Sequence, residues 1–130
     1  LARNNTLSAS FSQASGDGAT GFSESSGSVN FTSGDAFKIE GNVLHTGATQ
    51  YVMADFGVAQ ADGIYFENRD STNFITLTLQ EAVSGSDLCA LKIAPSGVFC
   101  IRFDAGQNAI SHITIQADTA ACDFVLCVAE

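Results

Sequence analysis

The chain has no tryptophan, a single proline, a single methionine and only five basic side chains in 130 residues. The basic residues, Arg3, Lys38, Arg69, Lys92 and Arg102, are scattered along the chain and face fourteen acidic ones, for a formal charge of −9. Nucleic-acid binding is therefore not expected, because phosphate contact needs a basic stripe. Anionic membrane surfaces are disfavoured for the same reason, and no apolar run approaches the roughly 20 residues that a membrane helix needs. The first residues, Leu1-Ala2-Arg3-Asn4-Asn5-Thr6, contain no apolar h-region, so no signal peptide is expected within the chain. A leader removed earlier remains compatible with a first residue other than Met. Charged residues make up 15% of the chain, against about 25% in ordinary domains. A lightly charged surface fits a protein packed against other subunits, and its acidity favours solubility and a basic partner surface.

Motifs for catalysis are also missing. Neither a GxSxG elbow nor a GxxxxGK phosphate loop occurs. No D-x-[DN]-x-[DN]-G calcium loop is present. His45 and His112 stand alone in "VLHTGAT" and "SHITI", where a histidine on a polar strand face is ordinary surface. Asp55, Asp62, Glu67 and Asp70 fall in or near adjacent turns, so a carboxylate pair for glycoside hydrolysis is conceivable. Each is equally explained as a turn former or strand-edge residue. The four cysteines, Cys89, Cys100, Cys122 and Cys127, form no CxxC pair and have no histidine at ligand spacing. Each sits in an apolar stretch, and they read as buried free thiols or as including one disulfide between neighbouring strands. No cofactor or metal is expected. Two sequons, at Asn4 and Asn30, lie in an Asn- and Thr-rich segment and matter only in a eukaryotic secretory setting.

What the chain does have is apolar side chains, 45% of residues including ten Phe, arranged with period two. A length of 130 residues suits one domain with a real core. Leu7, Ala9 and Phe11 alternate with Thr and Ser; residues 13–27 are Ser- and Gly-rich and read as a flexible connection. Val29 with Phe31 and Phe37 with Ile39 mark two further strands. "TQYVMADF" is a strand candidate, Ala61-Asp62-Gly63 a turn and "GIYFEN" a strand. After the polar corner Asn68–Asn73, "FITLTLQ" alternates Ile75, Leu77 and Leu79 with Thr76 and Thr78. Ser84–Asp87 turns the chain again.

"LCALKIAPSGVFCIRF" reads as a hairpin, Leu88–Ala94 and Val98–Phe103 around Pro95-Ser96-Gly97, with Gly at the permissive position. Phe99, Ile101 and Phe103 share one face, which sends Arg102 to solvent or to an interface. After a turn at Asp104–Asn108, "AISHITIQA" and "CDFVLCVAE" form two strands joined by Asp118–Ala121. Nine or ten short strands spaced about ten residues apart indicate an all-β fold, an antiparallel β-sandwich of jelly-roll-like form. Residues 1–35 read as a flexible Ser/Gly-rich N-terminal arm with short strands, and residues 36–130 as the sandwich. Such an arm suits pairing with a neighbouring subunit's edge.

The segments "GIYFENRDSTNFITLTL", "LCALKIAPSGVFCIRF" and "ITIQADTAACDFVLCVAE" together resemble small all-β structural proteins of tailed bacteriophages, of the decoration, minor-capsid or tail-accessory kind. The resemblance covers the C-terminal half well and the N-terminal third loosely. It implies a virion component assembled in the host cytoplasm, with no enzyme activity, whose partners are copies of itself, a major capsid protein or a tail protein. Arg69, Asp70, Arg102 and Phe11 are the candidate subunit-contact residues. The alternative is a tail- or fibre-associated carbohydrate-binding or adhesion module. It is weakened by the lack of Trp, which leaves Tyr51 and Tyr65 as the only Tyr platforms. The corner Asn68–Asn73 reads as a turn whose Asn and Asp side chains bond locally, with Arg69 facing Asp70 or a partner.

Overall fold

A computed structural model describes residues 3–13, 21–33, 35–81, 87–102, 104 and 110–130. Residues 84–86 of the expected Ser84–Asp87 turn, Phe103, and residues 105–108 of the expected Asp104–Asn108 turn lie outside these residues. Period-two alternation yields ten strands among the described residues: β1 Arg3–Gln13, β2 Phe22–Ser33, β3 Ala36–Val43, β4 Thr49–Val52, β5 Gly63–Asn68, β6 Ile75–Glu81, β7 Asp87–Ile93, β8 Val98–Arg102, β9 Ile110–Ala117 and β10 Cys122–Ala129. All pairings are antiparallel.

The strands form three sheets: a two-stranded ribbon β1-β2, a sheet β3-β10-β5-β8 and a sheet β4-β9-β6-β7. The two four-stranded sheets share one apolar core. From the first come Val43, Ile64, Phe66, Phe124, Leu126 and Val128; from the second come Ile75, Leu77, Leu79, Ile113 and Ile115. Alternation decides the faces: Ile75, Leu77 and Leu79 are buried while Thr76 and Thr78 look outward. Phe66 and Phe124 stack at the centre with ring centroids 5.9 Å apart. Full burial of an aromatic side chain such as either of these contributes about 1.5–3 kcal/mol. Gly41 lets the Phe124 ring close in, since a Cβ there would lie 3.1 Å from it.

Three expectations need correction. The strand expected over "TQYVMADF" stops at Val52, where Met53–Phe56 coil into a short 3-10 helix. Met53 is fully buried, and Gly57 closes the turn at φ 82° with its N–H on the Ala54 carbonyl. Residues 22–27, expected in a flexible connection, belong to β2, which pairs with β1 from end to end around an irregularity at Ser8/Ser10. Ser and Gly are weak strand formers, but here cross-strand pairing overrides propensity.

The third correction is the hairpin. β7 and β8 do not pair. Ile93 lies opposite Ile75 in one sheet and Phe99 opposite Phe66 in the other. Pro95-Ser96-Gly97 therefore carries the chain across the sandwich between two edge strands. The left-handed residue of this turn is Ser96, at φ 57°, not Gly97. Gly97 is needed for space: a Cβ there would sit 2.7 Å from the Ala94 carbonyl oxygen, which accepts the Gly97 N–H at 2.8 Å.

Candidate functional site

Three sheet-to-sheet connections meet at one end of the sandwich: residues 69–74, 94–97 and 118–121. Asn68 joins the first two. Its side chain is fully buried and donates from Nδ2 to the carbonyls of Asn73 at 2.8 Å, Ile93 at 3.1 Å and Ala94 at 3.1 Å. Its Oδ1 accepts the Asp70 N–H at 3.0 Å. Backbone bonds lock the same junction: Asn68 N–H to the Gly97 carbonyl, Ser96 N–H to that of Asp70, and Arg69 N–H to that of Asp123. Thr119 Oγ1 donates to Asn73 Oδ1 at 2.7 Å, and Asp118 N–H to the Phe74 carbonyl, which adds the third connection.

Asp70 turns into this junction. Its Oδ1 accepts from the N–H groups of Asn73 and Thr72 and from the Asn73 amide. These donors, the Asn73 N–H first, hold its carboxyl below the ordinary range. Arg69 pairs elsewhere, with Nη1 3.8 Å from Glu40 and Nε 3.6 Å from Glu67. Of the two expected alternatives, Arg69 facing Asp70 or a partner, the first gives way to these contacts with Glu40 and Glu67, while Asp70 is taken up by Thr72 and Asn73. The corner does not join strands of one sheet; it bridges two sheets.

Asp62 and Glu67 are engaged separately. Asp62 faces Arg102 at 3.7 Å, and Glu67 accepts the Tyr65 hydroxyl at 3.1 Å. Asp62 and Glu67 are five residues apart on an extended strand, about 16 Å, beyond the carboxylate separations of glycosidases. His112 Nδ1 contacts the Ser111 hydroxyl at 2.6 Å.

All four cysteines are free, and only Cys122 is buried; Cys89 is exposed, contrary to the expectation of uniformly buried thiols. Cys127 and Cys100 flank Tyr65 from opposite sides. Two strand spacings, about 9.5 Å, put them beyond disulfide reach. Burial raises the pKa of both thiols.

The remaining candidates are Arg102 and Arg69, at the two ends of β5 in the β3-β10-β5-β8 sheet, and Phe11 on the ribbon. Arg102 lies opposite Gly63 at the start of β5, while Arg69 follows its end, about 20 Å along the sheet. Phe11 stands on the ribbon and is 70% exposed. The candidate contact residues thus mark separate places. One feature escaped the sequence reading: a groove of about 280 Å³ where the ribbon meets this sheet, lined by Leu7, Ala36, Gly63, Tyr65, Cys127 and Ala129. Ala36, Ala129 and Gly63 form one cross-strand row, which is invisible until register is known. Tyr51 offers no platform, because it is half-buried between Phe56 and Phe124. Comparison with protein-family models and with curated proteins finds no match.

Proposed function

We propose that the chain is a non-enzymatic structural subunit of a bacteriophage particle, of the capsid-decoration, minor-capsid or tail-accessory kind, and that its two four-stranded sheets are a jelly roll. The strand order carries this reading. Strands 3, 10, 5 and 8 form one sheet and strands 4, 9, 6 and 7 the facing one, an eight-stranded arrangement of the kind used by viral capsid and lectin domains. The interior is filled by Phe66, Phe124, Met53 and aliphatic side chains, so work is left to edges, loops and the N-terminal ribbon. In this reading residues 3–33 are an assembly arm. The partners are further copies of the chain, a major capsid protein or a tail protein, in particles assembled in the host cytoplasm. Mass spectrometry of purified particles of the phage that encodes the chain is expected to find it in many copies. Its absence from those particles would remove the reading.

Tyr65 beside the groove favours a second reading, a carbohydrate-binding or adhesion module of a tail or fibre. A glycan array on which binding appears and disappears with Tyr65→Ala would support it; an array without hits removes it.

A further inference from the structure

We propose that the β1-β2 ribbon is a strap, closed over one end of the β3-β10-β5-β8 sheet through one apolar residue, Leu7, and lifting from it as a unit. The motion lies within the chain and depends on neither functional reading above.

The sheet end under the strap is outward-facing. Ile64, Phe66, Leu126 and Val128 fill the shared core. By strand alternation, Ala36, Gly63, Tyr65, Cys127 and Ala129 therefore point away from it. Gly63 and Ala129 are nevertheless buried, and Tyr65 and Cys127 half-buried. Leu7 lines the same groove as these residues. The small residues Ala36, Ala129 and Gly63 leave a trough beside Tyr65, and the ribbon brings a leucine to it.

The hold on this seat is slight. The ribbon is hydrogen-bonded strand to strand and shares no ladder with either four-stranded sheet. Among its described side chains, Leu7 alone is half-buried; Asn4, Thr6 and residues 8–12 and 23–28 are exposed. At the irregularity in its register, the Ser26 hydroxyl bonds the N–H and carbonyl of Ala9, so this join too stays inside the ribbon. Lifting the ribbon leaves its own ladder intact. An element seated on few apolar contacts opens more readily than the strands of a core.

Cys127 reports the motion, because it lines the groove, while Cys122 is fully buried in the core. A thiol reagent is applied at pH 8 to the full chain carrying Cys89→Ser, and labelled positions are located by mass spectrometry of peptides. Adding Leu7→Ser is expected to label Cys127 about fivefold faster, the factor that follows from losing half of a leucine's burial in the closed state. Leu7→Met keeps the slow rate, and Cys122 stays unlabelled throughout. A Cys127 rate unchanged by Leu7→Ser overturns the proposal. So does a rise that Leu7→Met shows equally, or one that Cys122 shares, since the latter is a loosening of the whole sandwich.

Discussion

The side-chain amide of Asn68 donates to the carbonyl of Ile93 at 3.1 Å across the gap between the two sheets. One buried amide thereby ties the end of β5 to the end of β7, strands that share no ladder. Removing it strands the carbonyls of Asn73, Ile93 and Ala94 without this donor. Asn68→Ala is expected to cost about 2–4 kcal/mol, read as a lower midpoint of urea unfolding. A loss under about 0.5 kcal/mol would show that the junction is held by its backbone bonds alone.

Asp70 supplies a pH-dependent part of the same junction. Its carboxyl is held below the ordinary 3.8 by the N–H groups of Asn73 and Thr72. A depressed folded-state pKa means that the unfolded chain binds the proton more readily, so the stabilisation is present above pH 3.8 and is lost as pH falls through the folded value. Asp70→Ala is expected to melt below wild type at pH 6. That gap should narrow as both proteins are taken below pH 4. A gap independent of pH would assign the effect to packing instead of charge.

The connection between β7 and β8 makes two opposite predictions at adjacent residues. Ser96 holds φ 57°, which costs a residue with a Cβ about 1–2 kcal/mol; glycine avoids that but gains freedom in the unfolded chain. Ser96→Gly is therefore expected to be stabilising by about 0.5 kcal/mol. Gly97→Ala places a Cβ 2.7 Å from the Ala94 oxygen and is expected to cost about 2 kcal/mol. Chemical denaturation of the two variants side by side checks both signs.

This turn also marks how far the sequence could be read. Alternation located most strands and their faces, because Ile75, Leu77 and Leu79 must all point one way in any antiparallel sandwich. Pairing was not legible. Ile93 and Phe99 each point into the core whether their strands lie side by side or face each other, and Pro-Ser-Gly serves both arrangements. The corner at Asn68–Asn73 was legible as turn chemistry, but its reach to Ile93 and Ala94 was not, since a contact over 25 residues depends on tertiary packing. The groove floor of Ala36, Ala129 and Gly63 was hidden for the same reason: small residues in three distant segments become a surface only through register.

Thiol reactivity tests the layering of the sandwich residue by residue. Cys122 is buried, and Cys100 and Cys127 are half-buried. Burial raises the pKa of all three, so little of each is thiolate near neutrality. Cys89 lies exposed on β7, an edge strand. A thiol reagent applied to the native reduced chain at pH 8 should label one cysteine at least about tenfold faster than the others. Cys89→Ser should abolish that fast phase, and denaturant should release the remaining three together. Two fast thiols in the native chain, or a fast phase that survives Cys89→Ser, would contradict the arrangement that seats Cys122 inside and Cys100 and Cys127 beside Tyr65.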